Sequence, residues 1–283
     1  MKTLFRLVFL VLSLSVTPFA RAADVVAPSP TPPAANAAPS AGALSILGGA
    51  AQVRAFGLQG ARSVSNNGQI YAGDKIKTEE KQTVMIKLND GSEITIAANS
   101  EMTINKYALA PAENSAEIEL KKGMVYSVVR KNVYSEKRPF IIRTQSASMG
   151  VRGTEFVVEN TEAGVTSLHT LKGSVAIAKS VQELSQPKAA LLVEAGKMST
   201  ASPKAVNPTE PKVFNLKTFS GYLAAKAPEL SRSVEHQQKS DRVNHETAAE
   251  KKNEAKKKPK DATPPKKPRP KPKNSDAKSA GKK

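Results

Sequence analysis

Between residues 44 and 200 one pattern keeps returning: a short alternation of apolar and polar residues, then a turn. Thr83 to Leu88 (TVMIKL) sets Val84, Ile86 and Leu88 on one face. Asn89-Asp90-Gly91 follows, and Asp-Gly accepts the positive φ that a tight hairpin requires. Ile94 and Ile96 then alternate, as do Met102 and Ile104, and Ile118 and Leu120. Met124 to Val129, Phe140 to Ile142, Phe156 to Val158, Val165 to Leu171 and Val175 to Ile177 continue the series. A period of two puts alternate side chains on opposite faces of a strand, so a chain written this way folds as many short strands. The expectation is a single all-β domain over 44–200.

A weak repeat runs through it. Leu120-Lys121-Lys122-Gly123-Met124-Val125 resembles Leu171-Lys172-Gly173-Ser174-Val175, and Val193-Glu194-Ala195-Gly196-Lys197-Met198 is a looser third copy. Each places a Gly turn before or within an apolar strand. A β-solenoid or roll produces this pattern and is slightly preferred; a sandwich with similar hairpins is the alternative.

The flanks have a different texture. The formal charge is +18, but residues 251–283 carry +11 and residues 1–22 carry +3, which leaves +4 for 23–250. Lys2 and Arg6 precede the apolar run Leu7–Val16, and Ala20-Arg21-Ala22 fits a small-x-small cleavage site. Residues 1–22 thus read as an export signal, because ten apolar residues span about 15 Å as a helix and a bilayer core needs about 30 Å. Residues 23–43 are an Ala/Pro-rich linker and 201–212 a second linker. In 213–230, Leu216, Phe219, Leu223 and Ala227 fall near one helical face, giving a short amphipathic segment that can dock on the β-domain. Residues 231–283 are expected to be a disordered Lys/Pro-rich tail, since they offer almost no apolar surface to offset ordering.

Catalytic chemistry is sparse. The chain has no Cys and three His, of which only His169 lies in the β-domain. It sits on a strand face and reads as a packed side chain, because His catalysis needs a positioned partner. His236 and His245 lack the close spacing of a zinc site. No phosphate-binding loop or dinucleotide Gly motif occurs, and Ser185-Gln186-Pro187-Lys188 matches Ser-x-x-Lys only formally. The reading is non-enzymatic, with no cofactor and no metal; a secreted hydrolase is a distant alternative.

Three stretches carry a resemblance. Gly73-Asp74-Lys75-Ile76-Lys77-Thr78 is the first. Val84 to Leu88 with Asp90-Gly91-Ser92 is the second. Val151-Arg152-Gly153-Thr154-Glu155-Phe156, with Leu171 to Val175 and its Gly173 behind it, is the third. In this order and spacing the segment 45–200 resembles the FecR-like domain of bacterial envelope proteins. The motif residues read as mainly structural: Gly73 and Gly153 permit unusual backbone, and Asp74 caps its own turn. Arg152 is expected to be a buried or half-buried clamp on a carboxylate or carbonyls, with an anionic-ligand site as the alternative.

The resemblance implies a periplasmic or secreted β-module. Its signalling members are anti-sigma regulators with a cytoplasmic region and a membrane helix, and this sequence starts instead with the export signal. The expected function is a non-enzymatic binding, scaffold or signal-sensing module of the cell envelope, whose β-domain takes a protein or glycan partner. The tail residues Lys256, Lys257, Lys258, Lys266, Lys267, Arg269, Lys271 and Lys273 are candidates for anionic lipid or polymer. No nucleic acid partner is expected, because no aromatic is interleaved with the lysines to stack bases.

Overall fold

The computed structural model describes residues 40–49, 52–57, 60–109, 114–131, 133–135, 139–186 and 188–257. The expected signal over 1–22, nearly all of the expected linker over 23–43 and the expected tail from 258 onward lie outside them. The strands are, in order, β1 Ser40–Gly48, β2 Gln52–Gly57, β3 Gly60–Ser65, β4 Gln69–Tyr71, β5 Lys75–Lys77 and β6 Thr83–Leu88. Then come β7 Glu93–Ile96, β8 Glu101–Ala108, β9 Ser115–Val128, β10 Phe140–Arg143, β11 Ser148–Val151 and β12 Glu155–Asn160. β13 Thr166–Lys172 and β14 Ser174–Ala178 lead to the one-turn helix α1, Val181–Leu184. β15 Leu191–Glu194, β16 Lys197–Ala201, β17 Lys212–Val213, α2 Leu216–Lys226 and α3 Pro228–Lys257 complete the described chain.

The strands form two sheets that share β9. Sheet A runs β4-β1-β6-β7-β9-β12-β13-β16-β17, and sheet B runs β3-β2-β5-β8-β9-β10-β11-β14-β15. All pairings are antiparallel except β9 with β10. Leu44, Ile86, Ile96, Phe156 and Leu168 from sheet A meet Ile76, Met102, Ile118, Phe140 and Ile177 from sheet B in one buried core. Two sheets around one core make a sandwich, while the chain winds back and forth between them along its length as a roll does. Both expected architectures therefore capture part of the fold.

The weak repeat acquires a physical meaning here. Gly123, Gly173 and Gly196 all have positive φ and all mark places where the chain changes sheet. Gly123 is the most demanding. It sits inside β9, whose Ser115–Lys122 half pairs in sheet B and whose Gly123–Val128 half pairs in sheet A. What reads as two strands, around Ile118 and around Met124, is one strand that changes layer. An added Cβ at Gly123, where φ is 98°, would come within 2.5 Å of the Ser100 Cβ.

The two outer faces differ. On sheet A, Ala97, Met124, Tyr126 and Val157 are covered by Phe219, Leu223, Ala227, Leu230 and Val234 of the helical segment. This second cluster explains why Met124–Tyr126 and Phe156–Val158 are apolar at successive positions: both faces of those strands are buried. Asn215 caps α2 by accepting from the Thr218 N–H at 3.0 Å. Leu216, expected on the docking face, is exposed. The expectation of disorder from 231 is corrected over 231–247, which is helical. Pro228 starts α3 with its φ already suited to a helix. Leu230 and Val234, one turn apart, supply enough apolar contact to anchor a helix that is otherwise polar. Among the described residues no helix is long and apolar enough to cross a membrane.

Candidate functional site

Most motif residues hold the fold together. The Asp74 carboxylate is almost fully buried; it accepts the Tyr71 N–H at 2.8 Å and is forked by both terminal nitrogens of Arg62, one at 2.6 Å. Hydrogen bonding to Asp74 drives the Arg62 guanidinium above its ordinary range. The buried Thr78 hydroxyl donates to the Ala97 carbonyl at 2.6 Å and accepts the Ser100 N–H at 3.0 Å. Asp90 accepts from the Ser92 N–H at 2.9 Å and the Ser92 hydroxyl at 2.8 Å, while its own N–H donates to the Tyr107 hydroxyl. Gly91, beside it, takes φ 81°. Gly73 turns the chain from β4 into β5, and Phe156 is fully buried in the core. Gly153 and Gly173 flank the buried Thr154: a Cβ at Gly173 would sit 2.8 Å from the Thr154 Cγ2, and one at Gly153 would sit 2.9 Å from the Lys131 Cα.

Arg152 behaves differently, and the expectation of a buried clamp is corrected. Its side chain is exposed on the outer side of sheet B. Among the described residues it makes no hydrogen bond and no ion pair. The physical reason is register. Val151 points into the core at the end of β11, so the next side chain points outward, just before Gly153 turns the chain into β12. The clamp exists, but Arg62 makes it. The partner of Asp74 lies twelve residues upstream, and no local pattern marks it.

Arg152 lines a groove of about 580 Å³ with Ile141, Gly150, Ala176, Leu184 and Leu192. Ile141, Gly150, Ala176 and Leu192 are register partners in turn across β10, β11, β14 and β15. Small residues at the centre and larger ones at the flanks make a trough in the outer face. The sequence signal was there, in that Gly150 and Ala176 alternate with the inward Met149, Val151, Val175 and Ile177 of their strands. A larger, more polar hollow of about 700 Å³ lies elsewhere on sheet B, around Arg54, Lys77, Glu101 and Lys122. Its charges largely match one another. Glu101 faces Lys75, Lys77 and Lys121 at 3.4, 3.2 and 3.4 Å, and Lys122 faces Glu162 at 3.3 Å. Burial pushes the Glu101 carboxyl up, but Lys77 and Lys121 outweigh it and hold it below the usual range. The lining of that hollow sets three cations, Arg54, Lys77 and Lys122, against three acids, Glu79, Glu80 and Glu101, whereas among the described residues Arg152 is the one charged side chain lining its groove, which is therefore the stronger candidate.

His169 is used for packing. Its ring stacks on Phe219 at 4.1 Å and meets Phe214 edge-on at 5.1 Å. Burial lowers its pKa to about 4. Among the described residues no group of three or more His, Asp or Glu is placed to hold a metal ion. Lys256 and Lys257 end α3; Lys258, Lys266, Lys267, Arg269, Lys271 and Lys273 lie outside the described residues.

Residues 74–176 match the family described as FecR protein, so the chain carries a FecR domain over that stretch. The match is narrower than the expected 45–200. Two crystal structures of a protein described as a putative anti-sigma factor from Parabacteroides distasonis are similar to the chain. Each is 18% identical over 53% of this chain, with a TM-score of 0.41. The chain spans 63% and 64% of those two structures, less than two thirds of either. No curated protein matches the chain.

Proposed function

We propose that this is an exported cell-envelope protein whose FecR domain acts as a non-enzymatic binding or signal-sensing module for a protein partner, using the outer face of sheet B. The observation that supports it most is the asymmetry of the two faces. Sheet A buries Met124, Tyr126 and Val157 under α2 and α3, while sheet B leaves Leu192 57% exposed beside Arg152, which has no partner among the described residues. An exposed apolar patch with a charged rim is what a protein interface looks like before its partner arrives. The export signal and the FecR domain support an envelope setting. In-cell crosslinking of the full chain, read by mass spectrometry, tests the reading. It predicts a protein joined to the strands of the FecR domain; hydrolytic turnover with no protein joined would overturn it.

A second reading concerns the C-terminal region. Past Asp241, the α3 residues Arg242, Val243, Asn244, Glu246 and Thr247 are all exposed, and the helix leads into a Lys/Pro-rich run. Such a run would hold anionic lipid or polymer at about 1 kcal/mol per cation, weakening with salt. Removing 251–283 should abolish salt-sensitive envelope association; unchanged association would contradict this role.

A further inference from the structure

We propose that the groove beside Arg152 receives an extended apolar segment of a partner protein and sets one carboxylate of that segment on the Arg152 guanidinium. This deepens the protein-binding reading above and rests on it.

The groove is a built feature. Gly150 and Ala176 form its floor, and Leu184 overhangs it, since the Cβ position of Gly150 lies 3.6 Å from the Leu184 Cδ1. The short helix that carries Leu184 is fixed at its start: the Ser180 hydroxyl accepts the Glu183 N–H at 3.3 Å, and the Glu183 carboxylate accepts the Lys179 N–H at 3.1 Å. Lys179 in turn reaches the Ser202 carbonyl at 2.9 Å. Leu192 forms the other side on β15, which pairs only with β14 among the described residues and ends the sheet.

The charge at the groove's end is positive. Arg152 has no partner among the described residues, and exposed Lys131 lies beside the Gly153 turn that follows it. The nearest acid on β15, Glu194, is held by Lys197 at 2.8 Å. A guanidinium in this state offers a two-pronged site for a carboxylate. Ser135, Ser174 and Ser185 also line the groove. Their hydroxyls suit a peptide backbone; a hydrocarbon chain would leave them without partners. The free edge beside Leu192 suits an extended segment for the same reason. The cover on this part of sheet B is the one-turn helix α1, where two longer helices lie over sheet A.

A photo-crosslinking residue placed at Leu192 in the full chain tests this in the cells that make it. A second placed at Val213, exposed at the far edge of sheet A, is the comparison. The expected adduct at position 192 is a protein segment with apolar residues next to an Asp, a Glu or a chain terminus. Its yield should fall roughly tenfold in Arg152→Gln, the loss of one charge-assisted pair. Because Arg152 is exposed and makes no hydrogen bond or ion pair among the described residues, the variant's melting temperature should not change. Adducts at position 213 alone would leave protein binding standing and overturn the groove. Adducts at neither position would overturn both. A lipid, a glycan or a second copy of the chain at position 192 would overturn the proposed occupant, and a yield insensitive to Arg152→Gln would overturn the carboxylate contact.

Discussion

Arg62 closes both terminal nitrogens of its guanidinium on the buried carboxylate of Asp74. The pair ties the β2–β3 hairpin to the turn between β4 and β5, and the Arg62 cation also lies 5.2 Å from the centre of the Tyr71 ring. Asp74 cannot exchange this partner for water, because it is 2% exposed. Arg62→Ala leaves a buried charge with little beyond the Tyr71 N–H, and should cost roughly 3–5 kcal/mol. Arg62→Lys should recover only part of this, because an ammonium cannot fork. Urea unfolding of the three chains measures both effects.

Gly123 should tolerate no side chain. Gly123→Ala would combine a φ of 98° with a Cβ placed 2.6 Å from the Ser100 Cα. The strand would have to shift where it changes sheet, at a cost of about 3 kcal/mol or more. The loss should appear as a lower urea midpoint. Gly196→Ala, whose Cβ meets nothing within 4 Å, should cost only the backbone term, about 1 kcal/mol.

His169 makes the docked helices sensitive to acid. Burial takes its pKa from 6.5 to about 4. The unfolded chain therefore binds a proton that the folded chain refuses. Stability conferred by the neutral ring is complete above pH 6.5, falls as pH drops toward 4 and levels off below it. The total is on the order of 3 kcal/mol. Glu155, pushed up by burial and by Asp241, titrates in the opposite sense. It is present in wild type and in His169→Phe alike, so the difference between them isolates His169. Thermal melts at pH 7 and pH 4.5 should show a larger drop for wild type.

Leu230 carries the docking of α3. It is fully buried and belongs to the cluster with Met124, Tyr126, Val157 and Phe219. Leu230→Ala should cost about 2–5 kcal/mol if the helices and the sandwich unfold together. If the helices release first, a hydrophobic dye should bind the uncovered sheet A before the sandwich melts. Calorimetry with dye binding separates the two.

From Thr83 onward the strands were largely legible, because their alternation is strong: Val84, Ile86 and Leu88 are all buried, as are Ile94 and Ile96. The strands β2 to β5 were not named, since QVRAFG, GARSVS, QIY and KIK carry few apolar residues and are held by register with their neighbours. The repeat was visible, but its meaning was not: Gly123, Gly173 and Gly196 mark changes of sheet, a property of layering that no window of sequence contains. The helix past 231 was hidden by composition, since its anchors on the sheet are few: Leu230, Val234 and the pairing of Asp241 with Lys172 of β13. A clamp was expected at Arg152 and is not there; the Arg62–Asp74 pair carries no local sequence signal. Arg152 stands in the motif, yet β11 ends facing the core and turns Arg152 outward.

Hydrogen exchange of the full chain, with and without its crosslinked partner protein supplied in purified form, tests the central claim most directly. The open face of sheet B should take the partner, and the sealed face of sheet A should not. Added protection is predicted over Ser148–Val151, Ser174–Ala178 and Leu191–Glu194, with none over Leu216–Lys226 or Pro228–Lys257. Protection confined to those two helices would contradict the account.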